Sequence, residues 1–152
     1  MSLDLVVTGA DVYPGDGPPV RADVAIDDER IAALRVASPE RPAEWGAAQR
    51  IDGTGLMLCP GFIDLHAHSA LRPFVDPLLT PKVAQGFTTE LIGLDGLAPA
   101  PVAPEAWPER AAYLRPIEGP GPQPAPWASI DEYLSALGSA RPASGLVASV
   151  AH

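Results

Sequence analysis

The length, composition and charge of the chain exclude several classes of protein. Its 152 residues, 47% of them hydrophobic, suffice for an ordinary globular core. The formal net charge of -9 repels nucleic-acid phosphates and anionic lipids, and no apolar run reaches the roughly 20 residues that cross a bilayer, so neither nucleic acid nor a membrane is an expected partner. A single cysteine and the absence of a basic, apolar leader predict a reducing, cytoplasmic location.

The first part of the chain has the pattern of short antiparallel strands. Apolar residues alternate with polar or small ones from Leu3 to Val7, and turns rich in glycine and proline follow. The apolar stretches 22–26 and 30–34 flank the acidic run 27–29, which predicts a hairpin. Extended segments continue as far as the turn Pro60-Gly61. Residues 1–59 are therefore predicted to form a small β-unit.

From Phe62 onward, apolar strands are separated by helical patterns, which is typical of parallel βα units in an α/β fold. In the last helix Ser129 is the expected N-cap and Gly138 the expected stop. The strands are predicted at about 62–67, 88–94 and 145–151, and the helices at about 77–85, 104–115 and 129–138.

Prolines are crowded between Pro99 and Pro126, which predicts a long irregular loop there because proline lacks a backbone donor. Such a loop could cover a substrate. Trp107, Tyr113 and Trp127 would then offer apolar surface to the substrate, or they would anchor the loop to the body of the protein.

The residues with the clearest chemistry are His66 and His68. Strand alternation predicts that Asp64, His66 and His68 point to one side, so the two imidazoles can converge on one ion. Two imidazoles suit zinc, iron, nickel or copper and leave coordination positions for carboxylates and water. A bound water with a lowered pKa can attack an amide or ester carbonyl. Two ordinary polar histidines at the end of a strand are the alternative interpretation.

The surrounding motifs resemble those of the amidohydrolase superfamily. They are Ile51-Asp52-Gly53, then Cys59-Pro60-Gly61-Phe62-Ile63-Asp64-Leu65-His66-Ala67-His68, then Gln85-Gly86-Phe87-Thr88-Thr89. The resemblance implies that 1–59 belongs to a small β-sandwich subdomain. It also implies that 60–152 starts a (β/α)8 barrel and supplies about three of its βα units. A divalent metal, zinc above all and one or two ions, is implied with His66 and His68 as ligands.

Within the superfamily, the run Pro81 to Thr89 followed by Ile92-Gly93-Leu94-Asp95-Gly96 is most similar to the N-acyl-D-amino-acid deacylases. That branch often has Gly-Asn-Cys-Gly at the latter place, with the cysteine as a metal ligand. This chain has Asp95 there instead. Aspartate is itself a good oxygen ligand for zinc, so Asp95 could bind or bridge the metal as a third ligand, and a harder ligand can change the metal preference. A simple turn residue between two glycines is the alternative.

Three other residues are weaker candidates. Asp64 shares the predicted ligand face and could orient a histidine, or it could pack at the bottom of the barrel. His152 ends the last predicted strand and is an expected pocket residue. Lys82 lies in a predicted helix and is expected to be solvated.

The implied function is hydrolysis of non-peptide C-N bonds, most specifically the deacylation of small N-acyl-D-amino acids by a metal-activated water. In the family, later strands bring two more histidines and an aspartate that acts as general base, so no catalytic base is assigned within these 152 residues. The chain is expected to be an N-terminal portion that is inactive alone and needs the rest of the barrel. The alternatives are a cyclic-amide hydrolase of the dihydroorotase or hydantoinase type and a non-catalytic truncated homologue.

Overall fold

A computed structural model describes residues 3–36, 45–121 and 127–149 of the chain. The chain divides into two compact units, Met1–Pro60 and Gly61–His152. Strands and helices both occur, in agreement with the predicted α/β class. None of the described helices is long and apolar enough to cross a membrane.

The first unit is built on a five-stranded sheet. Its strand order is β3-β2-β1-β4, with β5 also paired to β1. The pairs among the first three strands are antiparallel, whereas β4 and β5 run parallel to β1. The described residues of this unit form one sheet, so the predicted sandwich stays a prediction. The strands are β1 (Leu3–Val12), β2 (Val20–Asp27), β3 (Arg30–Val36), β4 (Ala47–Asp52) and β5 (Met57–Leu58).

The predicted acidic hairpin is confirmed between β2 and β3. Asp27 pairs with Arg30, so the turn consists of two residues rather than the three expected. Those two, Asp28 and Glu29, have φ of 47° and 62°. Positive φ at both central residues defines a type I′ turn, whose twist matches that of the flanking strands. The carboxylate of Asp4 accepts the backbone N–H of Asp28 at 2.9 Å and holds the turn against β1.

The second unit has a parallel sheet with the order β6-β7-β8. Every strand and helix predicted after Phe62 has a counterpart in this order, with shifted ends. A parallel three-stranded sheet is consistent with the predicted start of a barrel, and the barrel itself stays a prediction. The elements are β6 (Phe62–Asp64), α1 (Thr80–Val83), β7 (Phe87–Ile92), α2 (Trp107–Glu118), α3 (Ile130–Ala140) and β8 (Gly145–Ala148).

Strand β6 ends at Asp64, three residues earlier than predicted. The side chain of Asp64 accepts the backbone N–H of His66 at 3.0 Å, and this local turn removes that donor from the sheet. His66 and His68 therefore lie in the segment that follows the strand. The expectation that strand alternation orients them was wrong, and the loop brings them together instead.

The proline-rich tract is not a continuous irregular loop. It contains the 12-residue helix α2, in which Pro108 occupies the first turn and Pro116 the last. Proline is tolerated in a first helical turn because its missing N–H would be unpaired there anyway. Trp107 and Trp127 are buried in the core of the unit with their ring centroids 5.8 Å apart, whereas Tyr113 is exposed. The two tryptophans thus anchor the tract to the body of the unit.

Helix α3 begins as predicted and ends later. The Ser129 side chain caps it by accepting the backbone N–H of Glu132 at 3.1 Å. Gly138 is not the stop. The helix continues to Ala140 and ends where Arg141 adopts a left-handed φ of 51°. Its inner face buries Tyr133 in the same core as the two tryptophans.

Candidate metal centre

Three predicted ligands meet at one edge of the parallel sheet. His66 and His68 follow β6, and Asp95 follows its neighbour β7. Because the two strands are parallel, their carboxyl ends lie at the same edge of the sheet. One ligand atom from each of His66, His68 and Asp95 lies within 4.8 Å of the other two. The structure therefore brings together residues that are 29 positions apart in the chain.

The geometry centres on one carboxylate oxygen. Asp95 Oδ2 lies 2.7 Å from His66 Nε2 and 3.5 Å from His68 Nε2. The two imidazole centroids are 5.2 Å apart. Ligand atoms that each bind zinc at about 2 Å stand at most about 4 Å from one another. Small side-chain movements would suffice, so two imidazole nitrogens and one carboxylate oxygen at this spacing fit a divalent ion.

Backbone geometry presents Asp95 at the tip of a tight turn. Its φ is 54°, and Gly93 and Gly96 on either side also have positive φ. Aspartate tolerates this left-handed region better than most residues that carry a side chain. The guanidinium of Arg110 donates to the carbonyl oxygens of Gly96 and Ala98, each at 2.6 Å, which fixes the loop. Asp95 is thus both a turn residue and a member of the ligand cluster.

A buried carboxylate lies behind the second histidine. Glu118, the last residue of α2, accepts the backbone N–H of Ala70 at 2.6 Å. Its other oxygen lies 3.6 Å from His68 Nδ1. Burial raises the pKa of the Glu118 carboxyl, although the Ala70 amide and the nearby His68 work in the opposite direction. The carbonyl oxygen of Ala70 accepts from Tyr133 Oη at 2.8 Å, so α2 and α3 hold the same peptide.

A second charged network lies beneath the histidine segment. Lys82 forms an ion pair with Asp64, and its Nζ lies 3.5 Å from Glu90 Oε2. The Glu90 side chain is fully buried and accepts from Ser69 Oγ at 2.6 Å. Asp64 binds the backbone amide of His66, and Glu90 binds the side-chain hydroxyl of Ser69, the residue after His68.

The pKa directions agree with this pairing. The hydrogen bond from Lys82, with the His66 amide second, lowers the pKa of Asp64. Burial alone would lower the pKa of Lys82, but its contacts with Asp64 and Glu90 outweigh burial and raise it. The expectation of a solvated Lys82 was therefore wrong.

Other predictions about the site have mixed outcomes. Asp64 binds the His66 backbone amide and Lys82 rather than an imidazole nitrogen. His152 lies outside the described residues. Sequence reasoning did not identify Glu90 or Glu118. The available signal for Glu90 was a lone carboxylate within the apolar strand β7, where a charge needs a partner.

Several known proteins are similar to this chain. N-acyl-D-glutamate deacylase of Alcaligenes xylosoxydans xylosoxydans is 38% identical over 99% of the chain, and N-acyl-D-aspartate deacylase of the same organism is 33% identical over 98%. A crystal structure of N-acyl-D-glutamate deacylase from Bordetella bronchiseptica superposes on the whole chain with a TM-score of 0.83 and 31% identity. That enzyme was solved with zinc and a phosphonate inhibitor that mimics the tetrahedral intermediate.

The similarity covers only part of each relative. The chain spans 29% and 28% of the two Alcaligenes proteins and 30% of the Bordetella protein. No family model matches the chain.

Proposed function

Because this chain belongs to the N-acyl-D-amino-acid deacylase branch of the amidohydrolase family, we propose that the protein hydrolyses the amide bond of small N-acyl-D-amino acids with a divalent metal ion. The observation that carries the proposal is the convergence of His66, His68 and Asp95 within 4.8 Å. Fold similarity alone would not identify a reaction, because function depends on the site.

The ligands we assign are His66 Nε2, His68 Nε2 and a carboxylate oxygen of Asp95, with zinc as the metal. A bound divalent ion supplies Lewis acidity, which polarises an amide carbonyl and lowers the pKa of water. The protein's contribution is orientation. Asp95 Oδ2 faces both Nε2 atoms, Asp64 binds the His66 backbone amide, and Glu90 binds the Ser69 hydroxyl next to His68. One or two ions fit the proposal equally.

We also propose the place of each unit in the complete fold. Residues 1–59 would form part of a small β-sandwich subdomain, and 60–152 would begin a (β/α)8 barrel. The parallel β6-β7-β8 sheet supports the second assignment because its strands are joined through helices, as in such barrels. Further ligands and a general-base aspartate would come from polypeptide outside this chain. The cytoplasmic location remains a prediction from the composition.

Metal analysis tests the ligand assignment. We expect the purified chain to retain zinc after gel filtration, and His66→Ala and His68→Ala each to lower the zinc content measured by inductively coupled plasma mass spectrometry. Arg72→Ala is the matched control, since Arg72 is exposed and, among the described residues, its side chain forms an ion pair only with Asp76. Equal zinc in the wild-type chain and both histidine variants would refute the site.

Substrate assays test the reaction itself. The chain, and any longer polypeptide that carries it, would be incubated with N-acyl-D-amino acids, N-acyl-L-amino acids and dihydroorotate. We expect free D-amino acid to be released, with loss of that activity on metal chelation. Ring opening of dihydroorotate without deacylation would favour a cyclic-amide hydrolase, and a positive zinc analysis with neither reaction would favour a non-catalytic homologue.

A further inference from the structure

The contact between His68 and Glu118 leaves two buried polar atoms facing each other. His68 Nδ1 and Glu118 Oε1 have no hydrogen-bond partner among the described residues, and both atoms are inaccessible to solvent. They lie 3.6 Å apart, just beyond hydrogen-bond distance. Burying an unpaired polar atom is energetically costly, because the atom loses its hydrogen bonds to water and gains none in return. These two atoms can remove that cost together by a small approach in which Nδ1–H donates to the carboxylate.

The position of Glu118 makes its burial costly for a second reason. It is the last residue of α2, where the helix dipole disfavours negative charge. Its side chain is fully buried. Oε2 accepts the backbone N–H of Ala70 at 2.6 Å. The other oxygen, Oε1, faces His68 Nδ1.

We propose that Glu118 is a positioning residue that keeps the proton of neutral His68 on Nδ1 and so presents the lone pair of Nε2 to the metal centre. This inference rests on the proposed metal-dependent function. An imidazole binds a metal through an unprotonated nitrogen, and a carboxylate that accepts from the other nitrogen fixes the tautomer and the ring orientation.

Asp95 is the competing acceptor for this proton. Its Oδ2 lies 3.5 Å from His68 Nε2, a distance close to that of the Glu118 contact. Asp95 is exposed to water, however, and it is already bonded to His66 at 2.7 Å. Glu118 Oε1 is inaccessible to solvent and has no hydrogen-bond partner among the described residues. If His68 adopts the other tautomer, the buried Glu118 oxygen is left without a donor, which costs more free energy than the loss of a contact at the solvated Asp95.

Glu118→Gln gives a directional test because the Ala70 amide fixes the orientation of the new side chain. The amide oxygen of glutamine must face the Ala70 N–H, so its NH2 group faces His68 Nδ1. A donor at that place requires Nδ1 to accept. We expect the proton to move from Nδ1 in the wild-type chain to Nε2 in the variant.

Long-range ¹H–¹⁵N correlation spectra of the metal-free chain, recorded above the ordinary imidazole pKa of about 6.5, identify which nitrogen carries the proton. His68→Ala assigns the signal. Glu109→Gln is the control, because Glu109 is exposed on the same helix, and it should leave the tautomer unchanged. A wild-type proton on Nε2, or an unchanged tautomer in a folded Glu118→Gln variant, overturns the proposal. If that variant does not fold, the wild-type spectrum alone decides.

Zinc affinity gives a second readout that separates this inference from the proposed function. We expect Glu118→Gln to weaken zinc binding by about 10- to 100-fold, in the range seen when outer carboxylate partners are lost, with no change for Glu109→Gln. Zinc binding that depends on His68 but not on Glu118 overturns the positioning role and leaves the metal centre standing. A tautomer that follows Glu118 in a chain that binds no zinc supports control of His68 by Glu118 and refutes the metal centre.

Discussion

His66 and His68 stand two residues apart, yet their surroundings differ. The His66 and Asp95 side chains are each 58% exposed and bond mainly to each other at 2.7 Å. His68 is 28% exposed, and its inner nitrogen faces the fully buried Glu118. Beneath the same segment, Lys82 joins Asp64 and the buried Glu90.

In the proposed metal centre, the exposed side and the buried side meet two different requirements. The exposed side keeps ligand atoms accessible and able to shift by the small distance that coordination demands. The buried side fixes the backbone from which the imidazoles project, because charges in a water-poor setting interact strongly and are costly to leave unpaired. We expect substitutions on the buried side to lower stability and substitutions on the exposed side to lower metal affinity.

Lys82→Met should give the largest loss of stability. It removes the cation that faces both Asp64 and the fully buried Glu90, which leaves a buried charge without its partner. Because the Lys82 side chain is 29% exposed, the loss should fall below that of a fully buried pair, at about 2–3 kcal/mol. Urea unfolding monitored by circular dichroism measures the change in the free energy of unfolding.

Arg72→Met is the matched control for Lys82→Met. Arg72 is exposed and pairs with the half-buried Asp76, and such a solvent-accessible ion pair contributes about 0–1 kcal/mol. The double variant Lys82→Met with Glu90→Leu should recover part of the loss, because no buried charge then remains unpaired. If Lys82→Met and Arg72→Met lowered the free energy of unfolding by similar amounts, the proposed stabilising role of the Lys82 contacts with Asp64 and Glu90 would be contradicted.

Tyr133→Phe should have an intermediate effect. The buried hydroxyl donates to the carbonyl oxygen of Ala70 at 2.8 Å, and its removal leaves that oxygen without the donor. The free energy of unfolding should fall by about 1–2 kcal/mol in the same urea experiment. Tyr113→Phe, which changes an exposed tyrosine, should have almost no effect. Equal effects of the two substitutions would contradict the role of Tyr133 in holding the Ala70 peptide.

Asp95→Asn should change stability least, by no more than about 0.5 kcal/mol. Asp95 is exposed, and asparagine tolerates its left-handed φ of 54° at least as well. The same variant should weaken zinc binding by about tenfold or more, measured by competition with a chelating dye, because it removes a charged ligand. A large stability loss without a change in zinc affinity would reverse the proposed division between the two sides.

The sequence was sufficient to predict the elements of the second unit and the three residues that converge. The His66 and His68 pair and the glycines around Asp95 are local signals, and parallel βα order places both at one sheet edge. Strand β6 was predicted too long because the local hydrogen bond of Asp64 with the His66 amide competes with the sheet.

The supporting charges were harder to predict, since they depend on distant parts of the chain. Glu118 lies 48 residues after the Ala70 amide that it binds, and Lys82 reaches Asp64 across 18 residues. A carboxylate at a helix end and a lysine in a short helix usually face water, so their sequence contexts favour the wrong environment. Their partners become apparent only in the folded structure, where α1 and α2 place Lys82 and Glu118 beside the segment that carries the two histidines.

Hydrogen exchange at the Ala70 amide can report on local opening of the segment behind His68. Its N–H is bound by a side-chain carboxylate rather than by a strand or helix neighbour, and the residue is fully buried. Exchange of this proton with deuterium therefore requires the Glu118 contact to break, whereas exchange in β7 requires the sheet to separate. Comparing the two exchange rates tells whether the segment behind His68 opens by itself or only when the unit unfolds.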